Sequence, residues 1–179
     1  MRRRSTSLWY AALALLLATS SVARADEEQT LVFSLPALRG NEPIELAHYR
    51  DKIVYVDVWA SWCTPCLRSM PELEALREKF HGQAFEVVAV NIDSDAAAGR
   101  AFLDRVKVQY PVAFDRDGAQ LSTLLKKSDV SGLPVGFLLD GRGRIRLVHR
   151  GYAPGQSAFL AEHIETLLAE LRVGSDARR

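Results

Sequence analysis

Two cysteines occur in the 179 residues, spaced as Trp62-Cys63-Thr64-Pro65-Cys66. They fall where an apolar, β-branched run, Ile53 to Ala60, gives way to residues with helical spacing from Leu67 onward. The pair is therefore expected at a strand-to-helix turn. A thiol at a helix N-terminus meets unpaired backbone N–H groups and the positive end of the macrodipole, and both favour thiolate over thiol. Cys63 is thus expected to be ionised and reachable, with Cys66 one turn further along the same helix and beneath it. Attack by one sulfur and displacement by the other is the two-step exchange that such dithiols perform.

Other uses of a cysteine pair fit less well. A purely structural bridge here closes a loop of about four residues, for which chain entropy gives roughly 2 kcal/mol against about 3 for fifteen. A zinc site needs two more ligands, and His48, His81, His149 and His163 are scattered without a ligand-type spacing. No metal and no other cofactor is expected. A thiol peroxidase and a non-catalytic binding module stay open as alternatives to dithiol exchange.

The N-terminus reads as an export signal. Arg2-Arg3-Arg4 form a positive region, Leu8 to Ala18 an apolar stretch, and Ala23-Arg24-Ala25 a small-x-small cleavage site. The apolar stretch is short of the roughly 20 residues of a spanning helix, so a secreted or periplasmic location is expected, with an uncleaved anchor as the alternative. Loss of residues 1–25 removes four arginines and no acid, which moves the formal charge from +1 to −3. A mildly acidic domain lacks the clustered basic surface that nucleic acid requires. Residues 26–174 suit one domain with one core, as a monomer, and 175–179 read as a loose tail.

Along the chain, Thr30 to Leu35 and Pro43 to Leu46 predict an N-terminal hairpin. Ile53 to Trp59 and Ala84 to Ile92 predict strands buried on both faces. Leu67, Met70, Leu73, Leu76 and Phe80 mark one face of a helix that contains Pro71, with Gly82 as its stop. Asp95 to Val106 reads as a second helix, Tyr110 to Phe114 as a short strand and Ala119 to Lys126 as a short helix. After Ser131-Gly132-Leu133-Pro134 come Val135 to Leu139 and Arg144 to Arg150, joined by Asp140-Gly141-Arg142-Gly143, a hairpin signal. The last helix is expected to bury Phe159, Leu160, Ile164, Leu167, Leu168 and Leu171 and to end at Gly174. This order describes an α/β mixed central sheet with helices on both faces.

The strand, the Trp-Cys-X-X-Cys turn, the Pro-containing helix and the later Gly-Leu-Pro before a hairpin together resemble the thioredoxin superfamily over nearly all of residues 30–172. Val58-Trp59-Ala60-Ser61-Trp62-Cys63-Thr64-Pro65-Cys66-Leu67-Arg68-Ser69-Met70-Pro71-Glu72-Leu73 is similar to the TlpA/ResA-like extracytoplasmic thiol:disulfide oxidoreductases. That group tends to carry an N-terminal hairpin and an extra helix, here Asp95 to Val106. Peroxiredoxins share the fold but place a Thr three residues before their reactive Cys, where this chain has Ala60.

The resemblance implies a thioredoxin-like fold and a protein-disulfide reductase with Cys63, Cys66 and Asp57 as catalytic residues. Asp57 lies mid-strand, where an uncompensated carboxylate is costly and its pKa should rise, suiting it to take the proton of the resolving cysteine. Thioredoxins face this acid with a Lys, and the matching position here is Ala89. Pro134 is implied to be cis, turning Leu133 toward a bound substrate strand that pairs with it as an edge; Val135 stands where many relatives have Thr. Trp62, Thr64 and Pro65 complete the docking surface, and Pro65 also stiffens the turn and tunes the potential. Trp59 is divided between core and surface roles. Asp93, Asp95 and Asp104 are read as a solvated face, with a second proton acceptor among them as the sharper option. Protein disulfides are the implied substrates, and a membrane-embedded electron donor the implied partner, with apocytochromes c or copper-site proteins as targets.

Overall fold

The computed structural model describes residues 29–128 and 132–176. The expected export signal (1–25), Ser131 and the end of the expected tail (177–179) lie outside the described residues. The strands are β1 (Ser34–Leu35), β2 (Ile44–Glu45), β3 (Ile53–Trp59), β4 (Phe85–Asn91), β5 (Val112–Phe114), β6 (Val135–Leu139) and β7 (Ile145–Arg150). The helices are α1 (Cys66–Lys79), α2 (Ala96–Val106), α3 (Ser122–Lys127) and α4 (Gln156–Asp176).

Five strands form one sheet in the order β5-β4-β3-β6-β7. β3 pairs parallel with β4, and β4 parallel with β5, while β6 and β7 run antiparallel. Because β3, β4 and β5 step in one direction, both crossovers, α1 and α2, lie on the same face. Ile53, Tyr55 and Trp59 of β3 pack there with Val87, Ala89 and Leu138 under α1, α2 and α4. The chain must then return across β3 to β6, and α3 lies on the opposite face with Val54, Val56, Val58, Val88, Val90, Phe137 and Leu139. All seven residues of β3 are buried, as their β-branched, two-sided apolarity predicts.

The N-terminal segment departs from the expected hairpin. Its paired part is only two residues on each side, because neighbouring residues bond to the main sheet instead. Leu31 N–H donates to Gly143 O and Ile145 N–H to Gln29 O at the β7 end, whereas Leu38 N–H donates to Val112 O and Phe114 N–H to Pro36 O at the β5 edge. Residues 29–38 thus form a strap from one margin of the sheet to the other, and Leu31, Phe33 and Leu35 bury beneath it.

Two helix limits and one buried position also differ. α4 continues through Gly174 to Asp176; glycine there has no left-handed φ, so nothing breaks the hydrogen-bond ladder, and Ser175 and Asp176 are not tail. Phe159 is exposed rather than buried, its ring lying against His163 at 4.4 Å between centroids. α3 begins at Ser122 because the Asp115 carboxylate accepts from Gln120 N–H and Leu121 N–H and holds the preceding turn apart from it.

One close approach ties the sheet together. The Tyr55 ring lies so near Gly136 that a Cβ there would stand 1.9 Å from the phenolic oxygen. Gly136→Ala is expected to destabilise the fold by about 1–3 kcal/mol, the range for overpacking a core, measured by urea unfolding; Tyr55→Phe in the same chain should recover part of the loss.

Candidate active site

β3 delivers Ala60 at its C-terminal end, and the chain turns through Ser61-Trp62-Cys63-Thr64-Pro65 before α1 begins at Cys66. Cys63 therefore lies in the strand-to-helix turn, as expected, with Cys66 as the first residue of the helix. Two turn bonds set the geometry: Cys63 N–H donates to Ala60 O at 3.0 Å and Cys66 N–H to Cys63 O at 3.1 Å. The helix still reaches the sulfur, since Cys66 N–H also lies 3.3 Å from Cys63 Sγ. Such a donor stabilises a thiolate formed there.

Cys63 and Cys66 are joined in a disulfide. In this oxidised form Cys63 is 4% exposed and Cys66 0%. The open Cys63 sulfur expected from the sequence is thus largely enclosed while bonded to its partner, and what access remains falls on Cys63. Trp62 stands beside it at 69% exposure, with Thr64 and Pro65 also on the surface. Trp59 belongs to the core, its ring tilted against Phe102 of α2 with 4.8 Å between centroids.

The loop before β6 lies at the same end of the sheet. Val135 pairs with Val58, so Pro134 is alongside the end of β3 that carries the cysteines. The Leu133–Pro134 peptide is cis, as the resemblance implies. Pro134 is buried and Leu133 half-buried, the latter packed against the cluster that contains both cysteines.

Asp57 pairs in register with Ala89 on one side and Gly136 on the other. It is 1% exposed, and its Oδ2 has no hydrogen-bond partner among the described residues. Ala89 leaves it without a facing cation, and burial raises its pKa from 3.8 to about 7. It shares the face of the sheet on which Cys66 packs.

Of the acids after β4, Asp95 and Asp104 are exposed, as expected of a solvated face, and only Asp93 departs from it. Asp95 caps α2 by accepting from Ala97 N–H at 2.9 Å, and Asp104 pairs with Arg39. Asp93 is buried. It accepts from Ser61 N–H and Ser61 Oγ, each at 3.1 Å, and from Asn91 Nδ2 at 2.9 Å. It therefore anchors the turn two residues before Cys63. Asn91 in turn is pressed by Gly99 of α2, where a Cβ would come within 2.8 Å of its Oδ1. The readable signal was an Asn-x-Asp at the end of a buried strand, where alternate residues share one face.

A strand-borne dithiol turn on a helix start, flanked by a cis-proline loop, defines a thiol:disulfide oxidoreductase on a thioredoxin-like fold. The chain belongs to the Redoxin family, whose profile matches residues 25–163. It is 32% identical over 147 residues to the thiol-disulfide oxidoreductase ResA of Halalkalibacterium halodurans, covering 82% of this chain and 80% of that protein. ResA of Geobacillus kaustophilus is 30% identical over 135 residues, or 75% of this chain and 74% of the relative. Among solved structures, a putative thiol:disulfide interchange protein DsbE from Chlorobium tepidum superposes with a TM-score of 0.70 at 33% identity, covering 79% of this chain and 96% of that one.

Two outcomes follow from the buried acids. Between pH 4 and 7 the folded protein binds a proton at Asp57 that the unfolded chain has lost, so this group's contribution to stability falls as pH rises through that window. Asp57→Asn should remove this dependence and stabilise the oxidised protein at pH 8 relative to pH 4 by on the order of 4 kcal/mol, seen in urea melts at the two pH values. Asp93→Ala should cost about 1–3 kcal/mol by leaving Ser61 N–H unpaired and should speed hydrogen exchange at that amide.

Proposed function

We propose that the protein is an exported disulfide reductase acting on protein disulfides. Cys63 thiolate attacks one sulfur of the substrate disulfide, forming a mixed disulfide and releasing the other substrate sulfur as a thiolate. Cys66 then gives its proton to Asp57 and, as thiolate, displaces the second substrate sulfur. The substrate gains two electrons, and the Cys63–Cys66 pair is left oxidised. Trp62, Thr64 and Pro65 form the platform for the substrate, and the edge presented by Leu133 and Pro134 pairs with its extended backbone.

The observation that carries this reading is the bonded Cys63–Cys66 pair at the start of α1, with a helix N–H on the Cys63 sulfur and all residual exposure on Cys63. An incoming thiolate of a regenerating donor then meets Cys63 first. That donor is read as a membrane-embedded electron carrier, and the targets as apocytochromes c or copper-site proteins. The resemblance of residues 58–73 to the extracytoplasmic TlpA/ResA-like group supports a location outside the cytoplasm. The N-terminal signal in the sequence supports the same location.

Cys63→Ser is expected to lower disulfide reductase turnover by at least about 10²-fold, and Cys66→Ser to accumulate mixed disulfides with substrate proteins. Full turnover in both variants would sink the assignment. Equilibration with glutathione decides direction: a potential near about −120 mV, that of a strong oxidant, reverses it.

A further inference from the structure

Asp57 is sealed from solvent, yet a group that takes a proton in each cycle has to lose it again. The sheet shows where that proton can go. Asp57, Gly136 and His149 occupy one cross-strand row over β3, β6 and β7, so all three present the same face. Tyr55 belongs to the next row, opposite Leu138, but its ring leans out of it. The phenolic oxygen occupies the space left by the missing side chain of Gly136 and lies 3.3 Å from His149 Nδ1. A hydroxyl thus stands in the row between the carboxylate and the imidazole.

We propose that Tyr55 and His149 form the outlet through which Asp57 exchanges its proton with solvent. The proposal rests on the reading of Asp57 as the acceptor of the Cys66 proton. Facing positions of paired strands are only about 5 Å apart, so a swing of the phenol or a single water joins its oxygen to the carboxyl group. The Asp57 proton passes to the phenolic oxygen as the Tyr55 O–H proton passes to His149 Nδ1. His149 then releases its other N–H proton to water, and Asp57 is again a carboxylate. His149 is half-buried beside the exposed Phe159, which gives the imidazole its contact with solvent. Burial holds its pKa below 6.5, so the ring is a neutral acceptor at pH 7. The other titratable groups turned toward this row are Tyr110, whose hydroxyl is raised by burial and by the Asp57 charge, and His163 behind Phe159.

The test follows closure of the Cys63–Cys66 bond from a mixed disulfide with glutathione, in single turnover at pH 7. Tyr55→Phe keeps the ring and its packing, and His149→Ala opens a half-exposed site. Each should slow closure roughly tenfold, less than the ~10²-fold of a group acting directly on the reacting atoms. Added imidazole should restore His149→Ala and leave Tyr55→Phe slow, with the glutathione equilibrium unchanged in both. In an Asp57→Asn background neither substitution should slow closure further. Closure at the parent rate in Tyr55→Phe or His149→Ala, or an equal loss in the Asp57→Asn background, overturns the outlet. If Asp57→Asn itself closes at the parent rate, the proton role of Asp57 falls and the outlet with it; if Asp57→Asn is slow while the other two are not, the outlet alone falls.

Discussion

Burial of β3 on both sides is the constraint from which the rest of the molecule follows. Its alternate residues need two separate apolar partners, one supplied by α1, α2 and α4, the other by α3 and the N-terminal strap. A strand so enclosed can end only where the sheet ends, and the turn after it is held from both flanks. On one side Asp93 grips Ser61; on the other the loop containing Pro134 lies along the strand terminus. The cysteines are therefore placed by a rigid strand rather than by a free loop, which is what positions a reacting sulfur to within a fraction of an ångström.

The same burial sets the electrostatics. In a strand of apolar residues, one carboxyl group with no partner on Oδ2 among the described residues costs stability when ionised, and its pKa rises to about 7. Replacement of a facing cation by Ala89 leaves the energy of that site governed by desolvation alone. Strain of this kind is tolerated in folds that gain function from it.

Much of this was legible in the residues. The long strands, the helix with Pro71 and the hairpin at Asp140 to Gly143 emerge from periodicity and turn chemistry because each is a local property. The dithiol turn was readable for the same reason. Asp93 was misread because its partner, Ser61, is 32 residues away, and the charge of a side chain says nothing about which backbone donors fold up to meet it. Gly174 suggested a helix end, yet a glycine stops a helix only when its backbone turns left-handed. The relation of Tyr55, Gly136 and His149 spans three strands and depends on the register of β6, which no single window of sequence contains.

The strap of residues 29–38 has a consequence for how the chain comes together. It is made first, but its hydrogen-bonding partners at Val112 and Gly143 lie far downstream. Contacts so distant along the chain form late, after the entropy of closing large loops has been met. Until then both margins of the nascent sheet present unpaired amides and carbonyls, the surfaces through which chains aggregate. The leading residues thus act as a final clasp, and a protein shortened at its front by a dozen residues past Asp26 would lose its guard against self-association together with part of the apolar cover over β3.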